Sequence, residues 1–382
     1  MEDKDDAIDK CIECPKLPIV IMIIQIADNM VIPVLCIAGI IGNGMSIMIL
    51  KNPQLRSTFH QSLVALGVCD IFFLGFILLD TFADLLYPLY IILFPYVINP
   101  MKNILLSLET FMIMSISAER FLAVYKPLQY RNHQMRISVP AHFVTFVLPA
   151  IILAIMINIP KFFEMKLTTM NRTNENNETL KEYEFELTPL KLDPMYTKYY
   201  THWVRLICTG VVPFLFLLVI NITTIISIRK SKKTAVMILA LGTLPATVRD
   251  QLAHKEKMKS RSSKNLVLTL TTIVILYLIC NIPRLLLNVF DHVSSTLIDI
   301  DFCRCRLNPE IVELFIVISH LMLVINSSSN FLIYFSLSRS FKNILLMKYF
   351  NRRSTRTQEN TYAMVEANLQ DETAFQMDVN GF

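Results

Sequence analysis

Seven long apolar stretches constrain what this chain can fold into. They lie at residues 29–50, 60–84, 93–125, 137–160, 203–229, 265–290 and 311–336. Each is longer than the roughly 20 residues that an α-helix needs to cross about 30 Å of hydrocarbon. Apolar residues make up 53% of the chain and charged residues only 18%, which excludes a water-soluble globular domain. The stretches therefore predict an all-α membrane protein, a bundle of seven transmembrane helices.

The same stretches divide the chain into four parts. Residues 1–28 are expected to form an extracellular N-terminus and 29–336 the helix bundle. Residues 337–350 predict an amphipathic cytoplasmic helix on the membrane lipid, and 351–382 a disordered cytoplasmic tail. Because the first 28 residues lack the basic segment of a signal peptide, the first span is expected to act as its own insertion signal.

The distribution of charge predicts the orientation. Lysine and arginine concentrate after the third, fifth and seventh spans, whereas most acids fall in the N-terminus and in the connections on the opposite side. Since basic residues favour the cytoplasmic side, the N-terminus is expected outside and the C-terminus inside. The outer segments then carry more acids than bases and would attract a cationic ligand.

The two longest connections carry local signals. Segment 161–202 holds glycosylation sequons at Asn171 and Asn177. Alternation at 183–187 predicts a strand, paired with 163–168 as a hairpin. In the connection 230–264, the apolar stretch 235–244 is too short to span a membrane. It is either an interfacial or partner-binding helix or a loosely ordered loop.

Several ionisable or polar residues lie inside the spans, where they are costly and usually functional. Asp70 and Glu109 fall near the middle of their spans, and Asn43, Asn326 and Asn330 supply amides in the first and seventh. Two interpretations remain open. One is a shared polar core that binds a proton or a cation such as sodium, formed by Asp70, Glu109, Asn326 and Asn330. The other is purely structural hydrogen bonding between helices.

Six short motifs occur in order along the spans, and together they resemble the rhodopsin-like (class A) G protein-coupled receptors. They are Gly42-Asn43, LGVCD at 66–70, Glu119-Arg120-Phe121, Pro213, CNIP at 280–283 and NFLIY at 330–334. Within that family, residues 94–100, 118–124, 280–283 and 325–334 are similar to invertebrate FMRFamide-type neuropeptide receptors.

The resemblance implies a plasma-membrane receptor for an extracellular neuropeptide, either FMRFamide-related or another small peptide, with a heterotrimeric G protein as its partner. Receptor kinase and arrestin are further implied partners. By the same analogy Arg120 is a switch arginine that rests beside Glu119 and faces the G protein on activation. An arginine at this depth can also merely extend its charge to the membrane surface. The other implied switch residues are Asn281, Pro283, Asn330 and Tyr334.

The cysteines depart from the family pattern. No cysteine occurs between Cys69 and Cys208, so the usual bridge from the third span to the second outer loop cannot form. Four cysteines lie on the predicted outer side, where disulfides persist: Cys11, Cys14, Cys303 and Cys305. They could tie the N-terminus to the third outer loop, pair locally, or remain free thiols.

The implied ligand, a short peptide ending in Arg-Phe-amide, can be matched to polar residues at the outer ends of the spans. Carboxylates can grip its arginine, and the candidates are Asp80, Asp84, Asp291 and Glu313, the first two on one helix face. The cations Lys102 and Arg284 could pair with Asp80 or hold acids of the peptide. Candidates for its amide cap are Asn99, Asn103, Asn288 and His320, and for its phenylalanine Phe94, Tyr96, Trp203 and Phe290.

Other functions fit the sequence less well. A secondary transporter that uses Asp70 and Glu109 is the alternative from a different class, but no inverted repeat is visible. Lys102 stands where amine receptors place an aspartate, and 311–336 lacks the lysine to which opsins attach retinal. The sequence shows no phosphate loop, nucleophile motif or metal-ligand cluster, so neither an enzyme nor a nucleic-acid partner is expected.

Overall fold

The seven predicted spans are confirmed as helices. The computed structural model describes residues 16–52, 58–126, 129–130, 139–173, 179–240, 267–290 and 308–349. Within these ranges, seven helices are long and apolar enough to cross a membrane. They are α1 (Pro18–Leu50), α2 (Phe59–Thr81), α3 (Leu89–Tyr125), α4 (Phe143–Phe163), α5 (Pro194–Lys230), α6 (Val267–Phe290) and α7 (Pro309–Ser328).

Two helices are longer than the sequence predicted. Helix α1 begins at Pro18, so 18–28 are helical rather than part of a separate N-terminal segment. The prediction stopped at Asp28 because a charge interrupts the apolar run, but one π-helical turn at Ala27–Val31 carries the helix past it. The backbone of α5 continues to Ala240, so the first part of the apolar stretch 235–244 extends this helix. The rest of that stretch lies outside the described residues.

The core of the bundle is organised around α3. This helix packs against α2, α4 and α5, while α1 packs along α2 and α7. One cluster of buried apolar side chains draws on α1 to α6 and on the segments after α7. Its members include Ile49, Leu63, Met112, Ala150, Leu217, Val274 and Ile333. Apolar side chains on the opposite faces, such as Ile155 and Ile279, are exposed, as a lipid-facing surface requires.

Beyond α7 the chain continues as two further helical pieces. A break at Ser329 is followed by Asn330–Leu337 and then by α8 (Arg339–Tyr349). Helix α8 buries Phe341, Ile344 and Leu345 against the bundle. The ring of Phe341 lies 5.7 Å from that of Tyr334. That α8 also lies on lipid stays a prediction, and the tail 351–382 lies outside the described residues.

The hairpin predicted between the fourth and fifth spans is confirmed. Strands β1 (Met165–Thr173) and β2 (Thr179–Leu187) pair antiparallel, with Met165 opposite Leu187. We call this side of the bundle the hairpin end. In place of a disulfide, aromatic contacts attach the hairpin to α3: Phe185 stacks on Phe94 at 4.9 Å, and Tyr96 Oη accepts a hydrogen bond from the Leu167 backbone N–H at 3.2 Å.

The cysteine and sequon predictions are only partly covered by the described residues. The four cysteines within the spans, Cys36, Cys69, Cys208 and Cys280, are free thiols. Cys11, Cys14, Cys303 and Cys305 lie outside the described residues, as does Asn177. The backbone of Asn171 lies on β1.

Candidate functional site

The sequence-predicted core residues come together at the end of α7 and the start of the helical piece that follows it. Asp70 and Glu109 are 1% and 2% exposed. The Asn330 side-chain amide donates to Asp70 Oδ2 at 2.6 Å, and the Asn326 amide donates to Glu109 Oε1. Ser327 Oγ lies 3.4 Å from Glu109 Oε2. The end of α7 and the helical piece after it therefore bridge two buried carboxylates, one from α2 and one from α3.

The partners of these carboxylates are all neutral. In the part of the chain that the structure describes, neither Asp70 nor Glu109 has a lysine or arginine within ion-pair distance. Asp70 Oδ1 and Asn43 Oδ1 are buried without a hydrogen-bond partner. Two uncompensated negative charges would be very costly here, so a proton or a bound cation is needed to complete the cluster.

The C-terminal end of α3, around Arg120, differs from the arrangement that the resemblance implied. Glu119 does not rest against Arg120: its Oε1 accepts a hydrogen bond from Tyr130 Oη at 2.7 Å and lies 3.3 Å from His142 Nε2. The Arg120 guanidinium instead lies over the ring of Phe59, 3.2 Å from its centroid. Successive helix residues point about 100° apart, so the two neighbours face different partners. Arg120 Nε is buried without a hydrogen-bond partner.

The remaining switch candidates connect α6 and α7 to the core. Asn281 donates to the backbone carbonyl of Tyr277 at 2.9 Å, and Tyr277 Oη donates to Thr110 Oγ1 of α3 at 2.8 Å. Pro283 lies two residues beyond Asn281 along α6. Tyr334 is buried beside α8. Tyr277 and Thr110 were not predicted, and they form the only direct side-chain hydrogen bond between α3 and α6 among the described residues.

At the hairpin end, Asp80 is already paired. It forms an ion pair with Lys102 of α3 and accepts a hydrogen bond from Tyr90 Oη at 2.9 Å. The Lys102 ammonium also lies 5.6 Å from the centroid of the Phe94 ring. The expected shared face of Asp80 and Asp84 is wrong: the α2 helix ends at Thr81, and Asp84 is exposed in the turns that follow.

The other ligand candidates are divided between exposed positions and the interior. Trp203 is 43% exposed and Glu313 is also exposed. His320 and Glu313 lie within electrostatic range of Asp28 on α1. Asp291 lies outside the described residues. Asn99 and Asn103 face each other one turn apart on α3, with the Asn103 amide 3.2 Å from Asn99 Oδ1.

A cleft between α5 and α6 contains further predicted residues. It encloses about 340 Å³, including its open mouth. Its walls are Thr209, Gly210, Phe214, Tyr277, Asn281, Arg284, Leu285 and Asn288. Arg284 and Asn288 were predicted as ligand residues and Asn281 as a switch residue, so this cleft brings parts of both predicted sites together.

Arg205 was missed by the sequence prediction. Its guanidinium donates to Asn103 Oδ1 at 2.8 Å, which connects α5 to α3 beside the cleft. The signal was present, because Arg205 is an ionisable residue inside the predicted fifth span and belongs to the same class as Asp70 and Glu109.

A second buried charged cluster was also missed. Glu164, 1% exposed, follows α4 and pairs with Lys161 at 2.8 Å and with Lys191 at 3.5 Å. Tyr196 Oη donates to its other oxygen at 3.0 Å. Burial raises the pKa of Glu164, but the charge and hydrogen bond of Lys161, with Lys191 and Tyr196, outweigh burial and hold that pKa below its ordinary value.

Seven helices surround a polar core, and an arginine lies at the C-terminal end of α3, as the resemblance to seven-transmembrane receptors implied. Residues 42–334 match the 7 transmembrane receptor (rhodopsin family). The chain belongs to the rhodopsin family of seven-transmembrane receptors, which confirms the resemblance found in its motifs. Members of this family are receptors and not enzymes.

Within this family, the chain is similar in sequence to several named receptors. The chain is 25% identical over 340 residues to the FMRFamide receptor of Drosophila melanogaster, a match that covers 86% of this chain and 55% of the fly protein. It is 25% identical over 332 residues to an FMRFamide peptide receptor of Caenorhabditis elegans, covering 82% of this chain and 67% of that receptor. A probable G-protein coupled receptor of the same nematode is also 25% identical, over 342 residues.

Proposed function

We propose that this protein is a plasma-membrane receptor for an extracellular FMRFamide-related neuropeptide and signals through heterotrimeric G proteins. The observation that carries the proposal is the similarity to two receptors named for FMRFamide peptides, each covering more than four fifths of this chain. Its N-terminus and the hairpin end face outward and α8 faces the cytoplasm, in agreement with the distribution of basic residues.

No covalent bond changes in this mechanism. The peptide binds the active arrangement of the helices better than the resting one and so shifts the equilibrium between them. The hydrogen bond of Tyr277 with Thr110 of α3, next to the cleft, supports a role for α6 in linking the bound peptide to the α3 core. Arg120, held on Phe59 by a cation–π contact rather than by Glu119, is the group that engages the G protein when the inner ends separate.

The peptide's arginine is read by carboxylates at the hairpin end. Asp80 is the first candidate because it already holds a cation, Lys102, in a partly buried site. The peptide's guanidinium would take the place of the Lys102 ammonium, with two parallel hydrogen bonds instead of one. The secondary candidates for binding this arginine are Asp84, Asp291 and Glu313. The residues that would contact the amide cap and the phenylalanine are Asn99, Asn103, Asn288, His320 and Trp203.

The Asp70–Glu109 cluster is proposed to hold a sodium ion or a proton. The unpartnered Asp70 Oδ1 supports this, since an oxygen buried without a donor is a ready cation ligand. Asn326 and Asn330 would orient the two carboxylates for it.

Three further features are proposed. Asn171 and Asn177 are glycosylated. A disulfide forms on the outer side among Cys11, Cys14, Cys303 and Cys305, and receptor kinase and arrestin dock on the cytoplasmic side.

A cell assay tests the proposed function. The receptor is expressed with a G protein reporter and exposed to a panel of amidated peptides, and ion flux is recorded in parallel. We expect Arg-Phe-amide peptides to activate the reporter, and Arg120→Ala to reach the surface and bind them without signalling. Full signalling by Arg120→Ala would remove its role. Ion flux without any reporter response would favour a transporter that uses Asp70 and Glu109.

A further inference from the structure

The cleft between α5 and α6 is strongly cationic. Arg284 lines it, and Arg205 lies close enough for the two guanidinium groups to repel each other electrostatically. Around them the described residues offer neutral polar groups, namely Thr209, Asn281 and Asn288. The side-chain amide of Asn281 donates a hydrogen bond to a backbone carbonyl of its own helix.

Neither arginine forms a direct ion pair with a carboxylate of the described residues, although Arg284 lies within electrostatic range of Glu109 and Arg205 within that of Glu164. Among the described residues, no Asp or Glu lies within ion-pair distance of Arg205 or Arg284. Arg205 donates to a neutral amide, that of Asn103. The nearest acids are committed elsewhere, because Glu109 is held by Asn326 and Ser327, and Glu164 by Lys161.

This arrangement suits one kind of ligand group. A partly buried guanidinium without a counter-ion is costly, and a carboxylate removes that cost through two parallel charge-assisted hydrogen bonds. The planar fork of arginine favours a carboxylate over a point-like anion. A ligand guanidinium, in contrast, would be repelled by both arginines, so the peptide's arginine belongs on the Asp80 side.

We propose that the cleft lined by Arg284 and flanked by Arg205 binds a carboxylate of the ligand. The proposal rests on the proposed peptide-receptor function and adds a second charge requirement to it. The ligand then carries its positive group at Asp80 and a negative group at Arg284. That carboxylate is either an acidic side chain ahead of the Arg-Phe-amide or a free C-terminus, and the two sources are distinguished by the probes below.

The test uses four matched peptides on the full-length receptor: Phe-Met-Arg-Phe-amide, the same sequence as the free acid, and the amide extended by Asp or by Asn at its N-terminus. In wild type, one carboxylate-bearing probe should bind at least about 30-fold more tightly than its neutral partner, the loss typical of removing one member of a buried charged pair. A preference for Asp over Asn identifies the side chain, and a preference for acid over amide identifies the C-terminus.

Receptor variants then assign that preference. Arg284→Gln and Arg205→Gln should abolish it, and Arg284→Lys should restore part of it. Lys198→Gln is the matched control, because Lys198 is an exposed cation on the same helix as Arg205 and lies over the ring of Tyr199. Equal binding of charged and neutral probes by wild type, or a preference that survives Arg284→Gln, would overturn the carboxylate site.

Binding is measured as thermal stabilisation of the purified receptor as well as by signalling, so that the two proposals fail separately. If no peptide signals but an acidic probe stabilises wild type and not Arg284→Gln, the carboxylate site stands and the proposed function falls. If peptides signal without any carboxylate preference, the function stands and the site falls. If no probe either signals or stabilises, both are wrong.

Discussion

Two clusters of carboxylates in this receptor are almost equally buried, but one is surrounded by cations and the other only by neutral groups. Glu164 is surrounded by Lys161, Lys191 and Tyr196, which satisfy both of its oxygens and its charge. Asp70 and Glu109 contact only amides and a hydroxyl, and one oxygen of Asp70 has no partner. The first cluster is complete in itself and is suited to hold the hairpin in place. The second is incomplete, and whatever completes it can also regulate it.

The largest expected effect is the loss of stability in Glu164→Gln. This change leaves Lys161 buried without its counter-ion, and removing one partner of a buried ion pair costs about 3–5 kcal/mol. We expect a clearly lower Tm for the purified receptor. The double variant Lys161→Met with Glu164→Gln should recover part of the loss.

The exposed pair of Glu186 with Lys166 on the hairpin, 3.0 Å apart, supplies the control. Glu186→Gln should leave Tm unchanged because the pair is solvated. If Glu164→Gln and Glu186→Gln behave alike, the Glu164 cluster is not the anchor described here.

Asp80 lies between the two extremes, since it has a cation but remains partly exposed. Asp80→Asn should weaken Arg-Phe-amide agonists by about 30-fold or more, the loss of one partner of a charged pair once the bound peptide covers the site. Analogues with citrulline in place of arginine should be weakened much less. Equal losses for the two peptides, measured in the same binding assay, would remove Asp80 from the recognition of arginine.

Lowering the pH should reduce the stability that the Glu164 cluster contributes to the fold. Because the pKa of Glu164 is lower in the folded protein than its ordinary value of about 4.3, the ionised group stabilises the fold above that pH. This stabilisation is lost as pH falls through the lower, folded pKa. Melting curves that extend below this value, to about pH 3, should therefore bring wild type closer to Glu164→Gln. Parallel curves would show that Glu164 does not titrate as described.

The smallest effect on stability is expected at the incomplete cluster. Asp70→Asn removes a charge that has no cationic partner in the described structure, and the new amide can still hydrogen-bond to Asn330. Its Tm without added sodium should change by the equivalent of about 1 kcal/mol or less. A loss as large as that of Glu164→Gln would show that Asp70 is a structural anchor too.

The contrast between the clusters also explains what the sequence could reveal. Asp70 and Glu109 were predicted because a charge inside an apolar stretch is conspicuous. Glu164 lies in a polar connection, where a charge is ordinary, and only the packing of the hairpin and α5 onto α4 buries it. Its local spacing from Lys161 is compatible with a helix pair, but it says nothing about burial.

Errors in the predicted site have equally local causes. Asp84 was placed with Asp80 by assuming that α2 continued past Thr81, where the apolar stretch alone gives no end signal. Glu119 was paired with Arg120 by analogy, although adjacent helix residues face different directions. Arg205 could have been found by the rule that found Asp70, whereas its bond to Asn103 required the relative rotation of α3 and α5.

The central claim is that the Asp70–Glu109 cluster is completed by an exchangeable cation or proton, whereas the Glu164 cluster is not. The direct test is the Tm of the purified receptor as sodium replaces choline at constant ionic strength, since a ligand of the native state raises Tm. It is repeated at several pH values above about 5, where Glu164 stays ionised. Wild type and Glu164→Gln should respond to sodium or to pH, and Asp70→Asn and Glu109→Gln should lose that response. An identical response in wild type and Asp70→Asn, or none in wild type, would contradict the claim.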